Sequence, residues 1–313
     1  METVLFQADE GVFQRSLRIG LQNLKIMSAI RKISRIIDGK RTSDGAGVSL
    51  LRIFGFYETS LLDPFLLLDF FGSDNPNDYI AGFPWHPHRG IETVTYMLEG
   101  RVEHGDSMGN SGIIHPGDIQ WMTAGSGIVH QEMPKAGKSS MYGLQLWVNL
   151  PATHKMMSPR YRGIKAEEIP VLKEENGIIV KVIAGELNGI KGPVKDIIAE
   201  PVYFDVSLPE SSAYTFKVNQ DYTVFAFVFE GEGLFDEIHG SPVKKGQLAK
   251  LTHGDKVKVT TTDSKTRFIL VSGKPLNEPI AWRGPIVMNT QAELKVAFEE
   301  YGNGTFIKHK KSD

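Results

Sequence analysis

The chain contains no cysteine. That absence removes disulfides, thiolate zinc sites, iron–sulfur clusters and thiol nucleophiles together. Any metal ion must be held by nitrogen and oxygen, and any nucleophile must come from Ser, Thr, Lys, Tyr, a carboxylate or bound water. An excess of one charge is also lacking: 35 Lys and Arg against 37 Asp and Glu leave a net charge of −2. No basic field draws the protein to nucleic acid or anionic lipid, so no direct nucleic-acid partner is expected. No apolar run approaches the ~20 residues needed to span a bilayer, so no membrane partner is expected either. Nor does the composition suit a disordered chain, with 41% hydrophobic and 23% charged residues, enough for a sizeable core. Turn-formers are plentiful, with Gly 32 and Pro 16 in 313 residues, which favours many short strands. The length is about twice a typical domain of ~100–150 residues, so two domains are expected.

Residues 1–26 read differently from the rest. Arg15, Arg18 and Lys25 lie among Phe13, Leu17, Ile19, Leu21 and Leu24, while Asp9 and Glu10 precede them and no continuous apolar stretch follows. A secretory signal fits poorly, and transit peptides usually avoid acids. The segment reads as sequence ahead of a natural start at Met27-Ser28, or as appended residues. A cytoplasmic location is expected, with the nucleus open to a eukaryotic protein.

From about Val48 the pattern is strand and turn. Tyr142, Leu144, Leu146, Val148 and Leu150 alternate with Gly143, Gln145, Trp147 and Asn149, a period of two. Glu92–Leu98 ends in Glu99-Gly100, and Thr223–Phe229 ends in Glu230-Gly231. Gly117–Thr123 (GDIQWMT) likewise parallels Gly246–Thr252 (GQLAKLT), so the offsets are 131 and 129 residues. Such a period is too long for a solenoid and fits a duplicated domain. Two β-barrels or jelly rolls follow, because closure removes exposed edges. The join falls between Leu150 and Glu200, where Pro151, Pro159, Pro170 and Pro193 accompany Lys173-Glu174-Glu175. The fold class is therefore all-β, two tandem barrels with a short C-terminal helix. Thr290 and Glu293 form a capping box for that helix, Leu294, Ala297, Phe298 and Tyr301 its apolar stripe, and Gly302 its stop.

The chemistry-bearing residues are histidines. His86 and His88, in Trp85-His86-Pro87-His88-Arg89-Gly90-Ile91-Glu92, share one face of an extended strand. Glu92 has the same parity if that strand runs on regularly. His130 and Glu132 form a second pair at the same spacing. Three imidazoles and a carboxylate suit Fe(II), Mn(II), Ni(II), Cu(II) or Zn(II). The offsets carry His86 and His88 onto Lys217 and Asn219, and His130 and Glu132 onto Val259 and Thr261, so the second copy keeps no ligand. One metal ion per chain is expected. The remaining histidines have bland readings: His104 and His115 near turns, as outer-shell or merely polar groups, His154 and His309 in linker and tail, and His239 and His253 in loops or at the surface.

At these residues the sequence resembles the pirin family, a bicupin branch of the cupin superfamily. The matching segments are Leu62-Asp63-Pro64-Phe65, Gly82-Phe83-Pro84, His86-Pro87-His88-Arg89-Gly90-Ile91-Glu92-Thr93-Val94, Pro116-Gly117-Asp118, Gln120–Gly125 (QWMTAG), Gly143–Leu150 and Gly284–Thr290. The likeness runs from about Met27 to Tyr301. It implies an N-terminal cupin domain at 27–160 carrying the metal, a linker with the first strands of the next barrel at 161–200, and a C-terminal cupin domain at 201–313 without ligands. It implies that His86, His88, His130 and Glu132 hold a single ion, Fe(II) by the family pattern, with Mn, Ni, Cu, Co or Zn as alternatives. The later acid, Glu132, then takes the place that the general cupin motif would give to Glu92.

The resemblance further implies a quercetin 2,3-dioxygenase-type activity, in which a flavonol ring is opened by O2 and Glu132 is the catalytic base. A non-enzymatic, iron-dependent redox regulator acting through a protein partner is the alternative from another class, and a different metal-dependent cupin reaction is a third. Gly125, Ser126 and Gly127 beside His130 either leave room above the metal or only form a turn. With no obvious exposed apolar helix, a monomer is expected.

Overall fold

The computed structural model describes residues 28–135, 140–174, 176–236 and 240–309. The N-terminal segment 1–26, Glu175 and His239 lie outside the described residues. The opening strand is β1 (Ile33–Asp38), followed by β2 (Lys40–Asp44), β3 (Val48–Phe54), β4 (Phe65–Ser73), β5 (Phe83–His88) and β6 (Ile91–Glu99). Then come β7 (Val102–Asp106), β8 (Ser111–Ile114), β9 (Ile119–Thr123), β10 (Ile128–Pro134), β11 (Met141–Asn149) and β12 (Arg160–Ile164). The first barrel has a seven-stranded sheet, β12-β9-β6-β11-β4-β3-β2, facing a four-stranded one, β5-β10-β7-β8. In the second barrel Val171–Lys173, Ile179–Ala184, Val202–Leu208, Thr223–Gly233, Gln247–Leu251 and Thr266–Gly273 share one large sheet, and Ala213–Lys217 pairs with Lys256–Thr260. The named strand pairs are antiparallel.

The duplication read from the glycines is a backbone event in both copies. Gly117 and Gly246 adopt φ of 88° and 86°, a left-handed turn that residues with a Cβ avoid. Each then donates its N–H back to the preceding long strand, Gly117 to the Met97 carbonyl at 2.7 Å and Gly246 to the Val228 carbonyl at 2.8 Å. The barrels pack through the faces of their larger sheets. Val94, Tyr96, Trp121, Leu146 and Val148 share one core with Phe225, Phe227, Ile269 and Val271. This explains why β11 alternates in sequence yet is buried along most of both faces. One face meets the second barrel, and the other lines the interior of the first.

The halves also exchange elements. Strand β1 adds to Gln247–Leu251 of the second barrel. In return the C-terminal hairpin Ala281–Arg283/Ile286–Met288 packs on the first barrel, where Val287 joins Leu66, Leu67, Ile91, Met122 and Ile128. The helix Gln291–Gly302 starts at Thr290 with the expected capping box, and buries Leu294 and Ala297, while Tyr301 is 42% exposed. Among the described residues no helix is long and apolar enough to cross a membrane.

Candidate metal centre

The facing sheets of the first barrel divide the work. The four-stranded sheet supplies imidazoles: His86 on β5 pairs directly with His130 on β10, and His88 lies two residues on from His86. The seven-stranded sheet supplies a polar floor, with Thr95 of β6 opposite Gln145 of β11 and Gln120 of β9. His86, His88 and His130 place one ring nitrogen each within 4.8 Å of one another. Their ring centroids lie 4.4–5.0 Å apart.

Hydrogen bonding decides which nitrogens face the centre. The His86 ring lies 2.8 Å through Nδ1 from the Pro84 carbonyl, and the His88 ring 3.1 Å through Nδ1 from the Pro285 carbonyl. A carbonyl can only accept, so in each neutral ring Nδ1 carries the proton and Nε2 offers a lone pair. Those two Nε2 atoms are 3.0 Å apart. Two lone pairs at that distance require a proton or a cation between them. Burial, and then repulsion by His86, drives the His88 pKa well below the usual histidine value. Burial, followed by His88, His86 and His104, does the same to His130. The His130 ring nitrogens are both buried without a hydrogen-bond partner, a costly state for polar atoms. An ion held by the three imidazoles would take one nitrogen from each ring, including one of the two on His130, so the residues fit a divalent transition metal.

Glu132 lies two residues beyond His130, past an irregularity in the β5–β10 register. Its carboxylate accepts from the Thr95 hydroxyl at 2.9 Å and from the Gln145 amide at 3.0 Å. The close ring-nitrogen group is formed by the three histidines, with Glu132 held beside it by the opposite sheet. Glu92 is elsewhere. Its strand does not run on from His88, because Arg89 and Gly90 turn the chain and β6 starts afresh. Glu92 instead pairs with Thr123 in the sheet and accepts from that hydroxyl at 2.6 Å.

Of the two readings open for His104, outer-shell or merely polar, its position agrees with the first. It is buried on β7, its ring centroid 5.6 Å from that of His130, and it pairs with Asp106 at 3.2 Å and Gln120 at 2.6 Å. Tyr161 stacks on it at 4.8 Å. The sequence signal was its i, i+2 spacing from Asp106, the same spacing as the other two pairs. Gly125–Gly127 form a turn, and a Cβ on Gly127 would strike Phe306 at 2.9 Å. His115, His253 and His309 are exposed, and His154 lies in a short 3-10 turn.

A cavity of about 630 Å³ opens beside His86 and His88, within the ~300–1,000 Å³ range of small-molecule sites. Trp147 and Trp282 form an aromatic wall 5.7 Å apart, Phe56 continues it at 5.8 Å from Trp282, and Trp147 meets the His88 ring edge-on at 5.1 Å. Gln145 links the cavity to Glu132. Arg52 and Asp69 also line it, in a bidentate pair at 2.9 and 2.8 Å. Burial outweighs that pairing and pushes the Asp69 carboxyl up to about 6.

The second barrel has the same frame and different contents. Sequence offset places Lys217 and Asn219 opposite the first histidine pair, but strand pairing puts Tyr214 against Val259 and Phe216 against Val257. The offset drifts because the connecting loops differ in length. The conclusion about ligands is unaffected, since these positions hold aromatic and aliphatic side chains.

Comparison with known proteins follows this division. The family model described as Pirin matches residues 47–148, and that described as Pirin C-terminal cupin domain matches residues 203–307. A pirin-like protein of Caulobacter vibrioides is 44% identical over 88% of this chain and 99% of its own length. Among solved structures, a quercetin 2,3-dioxygenase from Acinetobacter baumannii superposes with a TM-score of 0.81 at 33% identity, covering 89% of this chain and 99% of that one. A bacterial pirin from Escherichia coli, solved in complex with nickel(II), shares the fold at 19% identity and a TM-score of 0.60, covering 77% of this chain and 98% of its own. Two cupin barrels, with a set of three histidines in the first, are thus accompanied by family matches over both halves: the chain belongs to the pirin family.

Proposed function

We propose that the protein is a metal-dependent dioxygenase that opens flavonols such as quercetin with O2. The observation that carries this reading is the opening of the three-imidazole site onto a cavity walled by Trp147, Trp282 and Phe56. Its relative from Acinetobacter baumannii, which bears that activity in its name, supports it. His86, His88 and His130 would hold the ion, with Glu132 as the fourth ligand. A bound divalent ion, Fe(II) in this proposal, would supply Lewis acidity that favours the ionised form of a substrate hydroxyl.

The chain's own groups do the remainder. The tryptophan wall offers a flat ring a face to stack on. The Pro84 and Pro285 carbonyls fix the ring orientation of His86 and His88. Thr95 and Gln145 hold the Glu132 carboxylate from the opposite sheet and leave lone pairs to spare. Glu132 accepts the proton of the flavonol 3-hydroxyl. Addition of both oxygen atoms and loss of one ring carbon as carbon monoxide leave a depside.

Oxygen uptake with quercetin tests the reading. Metal-loaded protein should consume O2 and quercetin in equal amounts with release of carbon monoxide. Glu132→Gln should lower turnover by about 10²–10⁴-fold and leave an ion bound. Loaded protein that leaves both quercetin and oxygen untouched contradicts the proposal.

A further inference from the structure

The polar end of the same cavity is built from Arg52, Asp69 and Asp44. Arg52 on β3 pairs with Asp69 on β4, and Asp69 lies opposite Gln145 on β11. Adjacent strands are about 4.8 Å apart, so the backbone of Asp69 stands one strand from Gln145 and that of Arg52 two strands, roughly 10 Å. The cavity that takes in both this cluster and the imidazoles of His86 and His88, at about 630 Å³, has room for a ligand of two or three fused or linked rings.

The donors of Arg52 can be counted. A guanidinium has five N–H groups. Nε donates to Asp69 Oδ1, and Nη2 donates to Asp69 Oδ2 and Asp44 Oδ2. The two N–H groups of Nη1 have no hydrogen-bond partner among the described residues. Asp44 is 52% exposed, and it accepts once at each oxygen, from the Gly45 N–H and from Arg52. Lone pairs on it remain open. Two carboxylates on one guanidinium leave the cluster with a net negative charge, so an ionised group on a ligand is repelled there. A neutral hydroxyl can accept from Nη1 and donate to Asp44.

We infer that Arg52 and Asp44 form a specificity subsite for neutral hydroxyl groups, best two adjacent ones, on the end of a flat aromatic ligand remote from the imidazoles. Asp69 positions Arg52 for that task. The inference rests on the proposed flavonol reading and adds which flavonols the site selects.

Quenching of tryptophan fluorescence, with Trp147 and Trp282 in the cavity wall, reports binding directly. Three probes are compared: 3-hydroxyflavone, 3,3′,4′-trihydroxyflavone and a 3-hydroxyflavone bearing a 4′-carboxylate. The trihydroxy compound should bind about tenfold more tightly than 3-hydroxyflavone, and the carboxylate should bind most weakly. Asp44→Asn keeps the acceptor for Gly45 N–H and removes the charge. It should cut the trihydroxy preference to about threefold and strengthen carboxylate binding. Equal affinities in the parent protein, or an unchanged preference in Asp44→Asn, overturn the subsite while quercetin turnover continues. If no flavone binds and none is consumed, the flavonol reading itself fails, and the subsite fails with it.

Discussion

In the first barrel His86 and His88 meet edge to face with centroids 4.8 Å apart, and in the second Tyr214 and Phe216 do so at 4.7 Å. His130 pairs across from the first set, and Val259 across from the second. The same strand geometry therefore holds rings together whether they are polar or apolar. The energetic outcomes are opposite. Phe216, Val257 and Val259 are fully buried in an apolar core with Phe204 and Phe268. The histidines bring together ring nitrogens that a shared cation would bind, and both of those on His130 are buried without a partner. One barrel uses its interior for binding and the other for stability, and the exchanged hairpin lets the second support the first.

Substitutions at matched positions should break this symmetry in opposite directions. Phe216→Ala should cost about 3–5 kcal/mol in denaturant unfolding and leave metal stoichiometry unchanged. His130→Val, which makes the first barrel resemble the second at this point, should weaken metal binding by more than about 100-fold. The metal-free protein should then be at least as stable as the parent, because two unpartnered ring nitrogens are removed from the core. A calorimetric metal titration and a thermal melt without metal check both halves of that expectation.

A smaller effect follows from pH. His88 and His130 have folded-state pKa values depressed below the unfolded value of ~6.5. The unfolded chain therefore takes up protons first. Metal-free stability should be full above ~6.5 and fall as pH drops, by up to about 1.4 kcal/mol per pH unit for each imidazole until its folded pKa is reached. Unfolding free energies between pH 7.5 and 5.5 measure the slope, and His130→Val should remove about half of it. Smallest of all, Glu300→Gln loosens the contact of the C-terminal helix with buried Arg89, a 2.8 Å pair with Glu300 23% exposed. It should lower stability by about 0.5–1 kcal/mol in the same assay.

Much of this was legible in the chain. The i, i+2 spacing singled out His86, His88 and His130, which the fold brings together, and the paired glycines, Gly100 with Gly231 and Gly117 with Gly246, marked the repeat. Local signals worked because strand parity and left-handed turns are local properties. What was missed depends on distant partners. Parity alone leaves Glu92 open as a ligand, because it does not show that the turn at Arg89-Gly90 resets the strand. His104 could be placed near His130 only by the β7–β10 pairing. The Pro285 carbonyl that orients His88 comes from 197 residues away, and no spacing rule reaches that far. The exchange of β1 and the C-terminal hairpin between barrels is likewise a matter of tertiary packing.

One ion held by three histidines in the first barrel and none in the second is what the contrast between the barrels requires. Metal analysis of protein loaded with a divalent transition metal and then desalted tests it most directly. About one ion per chain is expected in the parent and in Phe216→Ala, and essentially none in His130→Val. Two ions per chain, or one that survives His130→Val unchanged, would contradict it.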